Sequence, residues 1–366
     1  MEFVVNREIL LPALGKVIGV VERRQTLPIL GNFRLAAREG ELTILGTDLE
    51  VEVQTRCEAA VQEVGETTVP ARKLVDICRN LGEGTDIRFR ISDERCVVTA
   101  GRGRFSLGVL PAVDFPVMEQ EQGGVEFGLD EAGFKRVLEK TAFAMAQQDV
   151  RYYLNGLLIE FDANGLTAVA TDGHRLAKFN TDLGVAAVDG RQVILPSKTV
   201  LELRRQLGNS NDPVSVSLGE KSIRLVIGDM MMTSKLVDGR YPDYERVIPQ
   251  QLAKSAVIDK EPLKRALSRT AILSNEKYRG VRLGFDNGLL KLQAHNPEQE
   301  EAEEEVEIEY QGEFTAIGFN VSYLTDLLGV LDGNEVEVSF QDGNSSSVWR
   351  GRDAEAETYV VMPMRL

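Results

Sequence analysis

Histidine is nearly absent from this 366-residue chain, which holds only His174 and His295. With so little imidazole, no GxSxG turn, no glycine-rich phosphate cradle and no metal-spaced ligand set, a complete catalytic constellation is hard to assemble. Neither an enzyme nor a cofactor is expected. Cysteine is as scarce: Cys57, Cys78 and Cys96 lie in the first third, are odd in number and lack CxxC spacing. Neither a disulfide framework nor a zinc site is supported, and buried or inert thiols are expected. Long apolar runs are missing too. Residues such as Lys16 break them far short of a membrane span, and Met1-Glu2-Phe3 opens neither the basic region nor the apolar core of a secretory signal. The expected location is cytoplasmic. Basic residues are in deficit, 42 Lys and Arg against 57 Asp and Glu, and the net charge of −15 by itself argues against a phosphate-rich partner.

What the chain does have is an ordinary globular composition, 43% hydrophobic and 27% charged, and a length that suggests two or three domains. It also has a repeat. The segment TDGHRLAKF, residues 171–179, has weaker copies: Thr47-Asp48-Leu49-Glu50 lies 124 residues before Thr171, and His295-Asn296-Pro297-Glu298 lies 124 residues after it. Pro70, Pro196 and Asn320, each opening a helical pattern, are separated by 126 and 124 residues. A period near 120 residues is too long for a solenoid and suits a compact domain.

The elements recur in one order. Apolar spacing predicts helices over 7–21, 71–81, 130–145, 196–207, 261–273 and 320–331. Between them lie hairpins over 33–46 and 156–170, further alternating strands, and a third hairpin over 281–292. This gives three copies of one α+β domain, with expected borders 1–122, 123–252 and 253–366. Each copy has two helices and about eight strands, and two helices can cover only one side of the sheets.

Charge is distributed unevenly over that frame. The windows 7–24, 70–81, 130–146, 196–207, 262–273 and 320–331 carry +2, +2, 0, +2, +3 and −1, together +8, so the remainder carries −23 of the −15 total. A positive helical layer without base-reading motifs points to phosphates, not to sequence. Size adds a constraint. A 122-residue domain is roughly 35 Å across; three in a closed ring leave a hole of about 5 Å, whereas six leave about one full diameter. If three domains make half of a six-domain ring with helices lining the hole, two chains must join head to tail.

The motifs TDGHRLA at 171–177, YPDYERVIP at 241–249 and YVVMPMRL at 359–366 occur together in a chain that closely resembles, over essentially its whole length, the β subunit of bacterial DNA polymerase III, the sliding clamp. The resemblance implies a homodimeric processivity clamp that encircles double-stranded DNA, slides without sequence preference and tethers the replicative polymerase through a peptide-docking groove. Its implied partners are a second copy of the chain, the polymerase III catalytic subunit, the ATP-driven clamp loader, and other polymerases and repair factors carrying clamp-binding peptides; no membrane is implied. The groove would be lined by Thr171, Gly173, His174, Arg175, Leu176, Pro242, Arg246, Val247, Asn320, Tyr323, Ser346, Val360, Met362, Pro363, Met364 and Arg365, with Arg151, Tyr153 and Leu154 at its rim. Leu, Val, Pro and Met suit an adaptable apolar groove, and Arg can orient a peptide. DNA contacts map to Arg24, Arg72, Lys73, Gln148, Tyr152, Tyr153 and Lys198, while Ser197 stands where some relatives carry a basic residue. The subunit interface maps to Phe105 and Leu107 of one chain against Ile272 and Leu273 of the other. The acidic run 298–305 either pairs with Lys73 across that interface or forms a solvated loop.

Two other readings remain open from the residues alone. Asp172, His174 and Arg175 lie close together, and a histidine beside a carboxylate can act as a general base in a hydrolytic enzyme. A structural scaffold that does not bind DNA, with incidentally basic helices, is the third.

Overall fold

The computed structural model describes residues 1–23, 27–92, 94–119, 121, 123–163, 165–183, 185–188, 190–210 and 212–365. Arg24, one of the expected DNA contacts, lies outside them. The first repeat runs β1 (Glu2–Asn6), α1 (Arg7–Val17), β2 (Asn32–Arg38), β3 (Glu41–Thr47), β4 (Val51–Glu58), β5 (Ala60–Glu63), β6 (Gly65–Pro70), α2 (Ala71–Arg79), β7 (Asp86–Ser92), β8 (Arg95–Ala100) and β9 (Gly103–Gly108). The second runs β10 (Val125–Asp130), α3 (Glu131–Thr141), β11 (Gly156–Phe161), β12 (Leu166–Thr171), β13 (Arg175–Thr181), β14 (Gln192–Pro196), α4 (Ser197–Gln206), β15 (Pro213–Leu218), β16 (Ser222–Ile227) and β17 (Met230–Lys235). The third runs β18 (Lys254–Asp259), α5 (Lys260–Thr270), β19 (Gly280–Asp286), β20 (Leu289–His295), β21 (Glu301–Glu309), β22 (Thr315–Asn320), α6 (Val321–Val330), β23 (Glu335–Phe340), β24 (Ser347–Gly351) and β25 (Glu357–Val361). The order of elements matches the expectation in all three repeats.

The helices bury the stripe their spacing predicts. On α1 it is Leu10, Ala13, Leu14 and Val17; on α5, Leu263, Ala266, Leu267 and Thr270; on α6, Val321, Leu324, Leu327 and Leu328. Each buried leucine of such a stripe contributes about 1.5–3 kcal/mol. The first helix of every repeat is eleven residues long and is followed by a three-residue 3-10 turn, Ile18–Val20, Ala142–Ala144 or Ala271–Leu273. The expected helices 7–21, 130–145 and 261–273 ran through these turns because the apolar spacing continues across them. In α3 and α5 the last helical residue is a threonine, Thr141 or Thr270, whose hydroxyl donates to the carbonyl four residues back at 2.8 Å. That bond competes with the α-helical ladder and favours a tighter last turn.

The chain divides into two compact units, Met1–Ala132 with Leu201–Leu236, and Gly133–Val200 with Val237–Leu366. The middle repeat is therefore shared between them. In the first unit an eight-stranded sheet runs β10-β15-β16-β17-β4-β3-β2-β6, and a five-stranded sheet runs β5-β1-β7-β8-β9. In the second a twelve-stranded sheet runs β14-β11-β12-β13-β25-β24-β23-β18-β21-β20-β19-β22. Two consecutive repeats are thus stitched by one strand pair: β4 with β17 between the first and second, and β13 with β25 between the second and third.

The solvated loop entertained for 298–305 is corrected here. Residues Glu301–Glu309 form β21, paired with β20 from Glu301 to Glu307. Its carboxylates find partners on neighbouring elements: Glu303 accepts from Gln293 at 3.0 Å, and Glu304 takes Arg269 of α5 in a two-pronged ion pair. Every second side chain faces inward or sideways, so a charge-rich segment still satisfies a strand period.

Candidate functional site

The turn that first suggested a repeat is built atom for atom twice. Thr47 Oγ1 donates to the Val51 carbonyl at 3.0 Å and accepts from the Leu49 N–H, while Asp48 Oδ1 accepts from the N–H groups of Glu50 and Val51. One repeat later Thr171 Oγ1 donates to the Arg175 carbonyl at 2.6 Å and accepts from the Gly173 N–H, and Asp172 Oδ1 accepts from the N–H groups of His174 and Arg175. In the third repeat Asn296 Oδ1 accepts from the Glu300 N–H at 2.9 Å, and the turn is one residue longer. Short polar side chains that close their own backbone are what this sequence pattern encodes.

This geometry disposes of the Asp172–His174 pair as a reacting couple. One Asp172 oxygen is filled by two backbone N–H groups and the other accepts from Arg175 Nε at 3.1 Å. The carboxylate caps a turn, and the His174 side chain stands exposed.

His174 contributes through its backbone. Its carbonyl accepts from the Met362 N–H at 2.9 Å, which extends the β13–β25 ladder (Arg175↔Val361, Leu176↔Val360) by one more bond. Two residues on, the Met364 N–H donates to the Gly318 carbonyl of β22 at 2.7 Å. The apolar tail is thereby docked against strands of two repeats. Beneath it Leu154, Leu176 and Val360 are buried in one cluster with Tyr241, Tyr244 and Val348, and Tyr153 packs partly buried against it. Of the expected lining residues these three are floor, whereas Gly173, His174, Pro242, Arg246, Val247, Met362 and Arg365 are exposed.

Arg175 ties the region together. Its guanidinium donates to Asp326 of α6 and to the Phe143 carbonyl, both at 2.6 Å, and lies 4.5 Å from the Tyr323 ring centroid and 5.3 Å from that of Phe143. Burial, reinforced by Asp172, pushes the Tyr323 phenol above its usual range. The Tyr241 hydroxyl accepts from the Thr171 N–H at 3.1 Å, and burial keeps that phenol protonated as well. Asn320 turns out to be a helix cap, its side chain accepting from the Ser322 N–H at 2.9 Å. Ser346 lies half-buried just before β24, and Pro363 half-buried in the tail.

At the rim, Arg151 is held by Asp149 through Nε at 3.0 Å and Nη2 at 2.8 Å. This two-pronged bond, with the Arg151 N–H, lowers the Asp149 carboxyl to about 2. Asn155 fixes the loop further by exchanging two hydrogen bonds with the Asp149 backbone, each 2.9 Å. Gln148 precedes it with φ of 55°, a left-handed backbone. Sequence reasoning missed Asp149, Asn155, Phe143 and Asp326. The last had a signal, being the only charge within α6.

The expected DNA residues fall in two places. Arg72 and Lys73 are exposed on α2, although Arg72 also donates to the Val21 carbonyl at 2.6 Å. In the second unit Gln148 and Tyr152 are exposed on the Arg151 loop, Tyr152 and Tyr153 meet edge to face at 5.8 Å, and Lys198 is half-buried in the first turn of α4. Of the interface candidates, Phe105 and Leu107 sit on β9 and Ile272 is 76% exposed, with Leu273 beside it. Among the described residues no three His, Cys, Asp or Glu side chains converge as a metal site, and no helix is long and apolar enough to cross a membrane.

Three repeats of one α+β domain, stitched edge to edge by their sheets, define the class of sliding-clamp proteins. The comparisons with known proteins agree. Models of the N-terminal, central and C-terminal domains of the DNA polymerase III beta subunit match residues 1–119, 128–243 and 245–365. The chain is 52% identical to the beta sliding clamp of Pseudomonas aeruginosa and 49% identical to that of Escherichia coli K12, each over 100% of both chains. A solved DNA polymerase III beta subunit from Pseudomonas aeruginosa superposes with a TM-score of 0.94 at 51% identity, again over 100% of both chains. The chain belongs to the DNA polymerase III beta subunit family of beta sliding clamps. It is a non-catalytic processivity factor of DNA replication.

Proposed function

We propose that two copies of the chain close head to tail into a six-domain ring around duplex DNA, with helices lining the hole. The three domains, divided near 122/123 and 252/253, would then slide without sequence preference and dock the polymerase III catalytic subunit, the clamp loader and other peptide-bearing polymerases and repair factors. In the cytoplasm the ring would hold DNA through weak phosphate contacts from Arg24, Arg72, Lys73, Gln148, Tyr152, Tyr153 and Lys198.

The observation that carries this reading is the repeated stitch. Each of the two junctions within the chain joins the strand after the Thr-Asp turn of one repeat, β4 or β13, to the last strand of the next, β17 or β25. The pattern leaves two strands over. β21 follows the third turn and meets β18 only at Ile308 and Glu309, and β9 ends its sheet. Carrying the register of Met231↔Gln54 and Met232↔Val53 onto them sets Arg104 of one copy opposite Glu303 of the other, and Phe105 opposite Ala302. Charge complementarity favours that pairing. The same equivalence sets Ile272 on the partner's Phe105, as Phe143 meets Tyr359 at 5.7 Å within the chain. For the groove, support comes from the docked tail, the exposed Met362 and the Gly173 corner. A clamp from Pseudomonas aeruginosa has been solved bound to griselimycin, and one from Caulobacter crescentus with polyethylene glycol at a putative beta-motif tethering region.

Retention on DNA tests the ring. The loaded chain is expected to stay on closed circular duplex through a wash that removes non-specific binders and to leave when the circle is cut; equal retention on both forms would sink encirclement.

A further inference from the structure

Lys140 and Glu357 form an ion pair at 2.7 Å with side chains only 5% and 1% exposed. Among the described ion pairs no other has both partners this deeply buried. All three ammonium protons are used: on Glu357 Oε2, on Asp332 Oδ1 at 2.9 Å, and on the Val330 carbonyl at the end of α6. The other Glu357 oxygen accepts from the N–H groups of Gly351 and Asp332, each at 3.2 Å. A Cβ at Gly351 would come within 2.8 Å of that oxygen, so glycine leaves the carboxylate its place. Arg136, one turn before Lys140, pairs with Asp332 and stacks over Phe179 at 5.5 Å.

The pair bridges α3 of the middle repeat to β25 of the third, and β25 is an unusual strand. All five residues of Glu357–Val361 are buried. Strand register is ordinarily fixed because a slip would turn apolar side chains out into water. A strand buried on both faces lacks that safeguard. One charged group with a single fitting partner supplies it, as a lone buried polar residue does in other closely packed assemblies. The register matters because β25 leads straight into the docked tail. A slip of two residues along β13 would move Met362 by about 7 Å, off the His174 carbonyl, and Met364 off Gly318.

We propose that Lys140 and Glu357 are positioning residues for peptide docking: their buried pair sets the register of β25 and so places the tail that walls the groove. The inference rests on the groove reading above, and the test separates the two. Lys140→Met, Glu357→Gln and the double variant are compared with the parent chain by thermal midpoint, by affinity for a fluorescent polymerase-derived peptide, and by amide exchange at Met362 and Met364. Lys140→Met leaves the Glu357 carboxylate buried without a cation, and Glu357→Gln leaves Lys140 with Asp332 as its one remaining carboxylate; each change lowers the midpoint, the first more than the second. The double variant is expected to regain most of the midpoint while its peptide affinity stays about fivefold or more below the parent. Its Met362 and Met364 amides exchange faster, and those of β11 and β12 do not change. Parent-like affinity in the double variant would overturn the proposal. If the double variant does not regain its midpoint, exchange is measured well below its own midpoint, where protected Met362 and Met364 amides would equally overturn it. A parent chain that binds no polymerase peptide refutes the groove reading instead, and the exchange data then judge the register alone.

Discussion

Leu49 and Gly173 hold the same corner of the same hydrogen-bonded turn, with φ of 78° and 89°. A leucine there strains its backbone by about 1 kcal/mol or more, whereas glycine does not. Leu49→Gly is therefore expected to stabilise the chain by roughly 0.5 kcal/mol after the larger unfolded-state entropy of glycine is subtracted. Gly173→Ala should cost about 1 kcal/mol and bring a methyl group to 3.1 Å from Arg151 Nη2, weakening peptide binding. Denaturant melts of both variants check the opposite signs; a destabilised Leu49→Gly would contradict the strain.

Removal of residues 362–366 takes away the two main-chain bonds to His174 and Gly318 along with Met362 and Met364. Polymerase-derived peptide should no longer bind by fluorescence anisotropy, and the dimer should persist by sedimentation. Undiminished peptide affinity would refute the groove assignment.

The proposed subunit contact sets Arg104 against the partner's Glu303. Arg104→Glu or Glu303→Arg alone should raise the dimer dissociation constant several-fold, by about 1 kcal/mol for a cross-strand pair of opposite charge whose two members are exposed in the single chain. The two changes together should restore much of the loss. Ile272 and Leu273 replaced together by serine should give monomers, since an apolar anchor is lost from the contact. Sedimentation over a dilution series reads both, and a dimer unmoved by all of these changes would place the interface elsewhere.

Burial pushes the thiols of Cys78 and Cys96 up to about 12 and that of Cys57 to about 11. With so little thiolate at pH 8, native protein should react with a disulfide reagent roughly two orders of magnitude more slowly than unfolded chain. A fast single-thiol burst from native protein would contradict the packing around Cys57.

Much of this was legible in the residues because each repeat obeys local rules. The helical stripes, the Thr-Asp turns and the order of elements follow from spacing and short-range hydrogen bonding, and the 124-residue step is visible without any structure. What failed is instructive in kind. Helix ends were overrun because Ile18–Val20, Ala142–Ala144 and Ala271–Leu273 keep the apolar rhythm in a tighter coil. The strand β21 was hidden by its glutamates, whose partners Arg269, Lys291 and Gln293 come from other elements. Asp149 and Asp326 were missed because their partners, Arg151 and Arg175, enter the sequence reading only as residues that face a docked peptide. The stitch of β13 to β25 is held at its Glu357 end by Lys140, 217 residues away in sequence, and no local pattern announces such a pairing.

The single glycine among the three equivalent turns has a consequence for traffic. The repeat supplies the same scaffold at residues 47, 171 and 295, but only the middle copy combines a side-chain-free corner with the chain's methionine-bearing tail. On the proposed reading each chain then offers one berth and not three. Factors that use it exclude one another, and the order in which they work on DNA becomes a matter of residence time at Gly173 and His174.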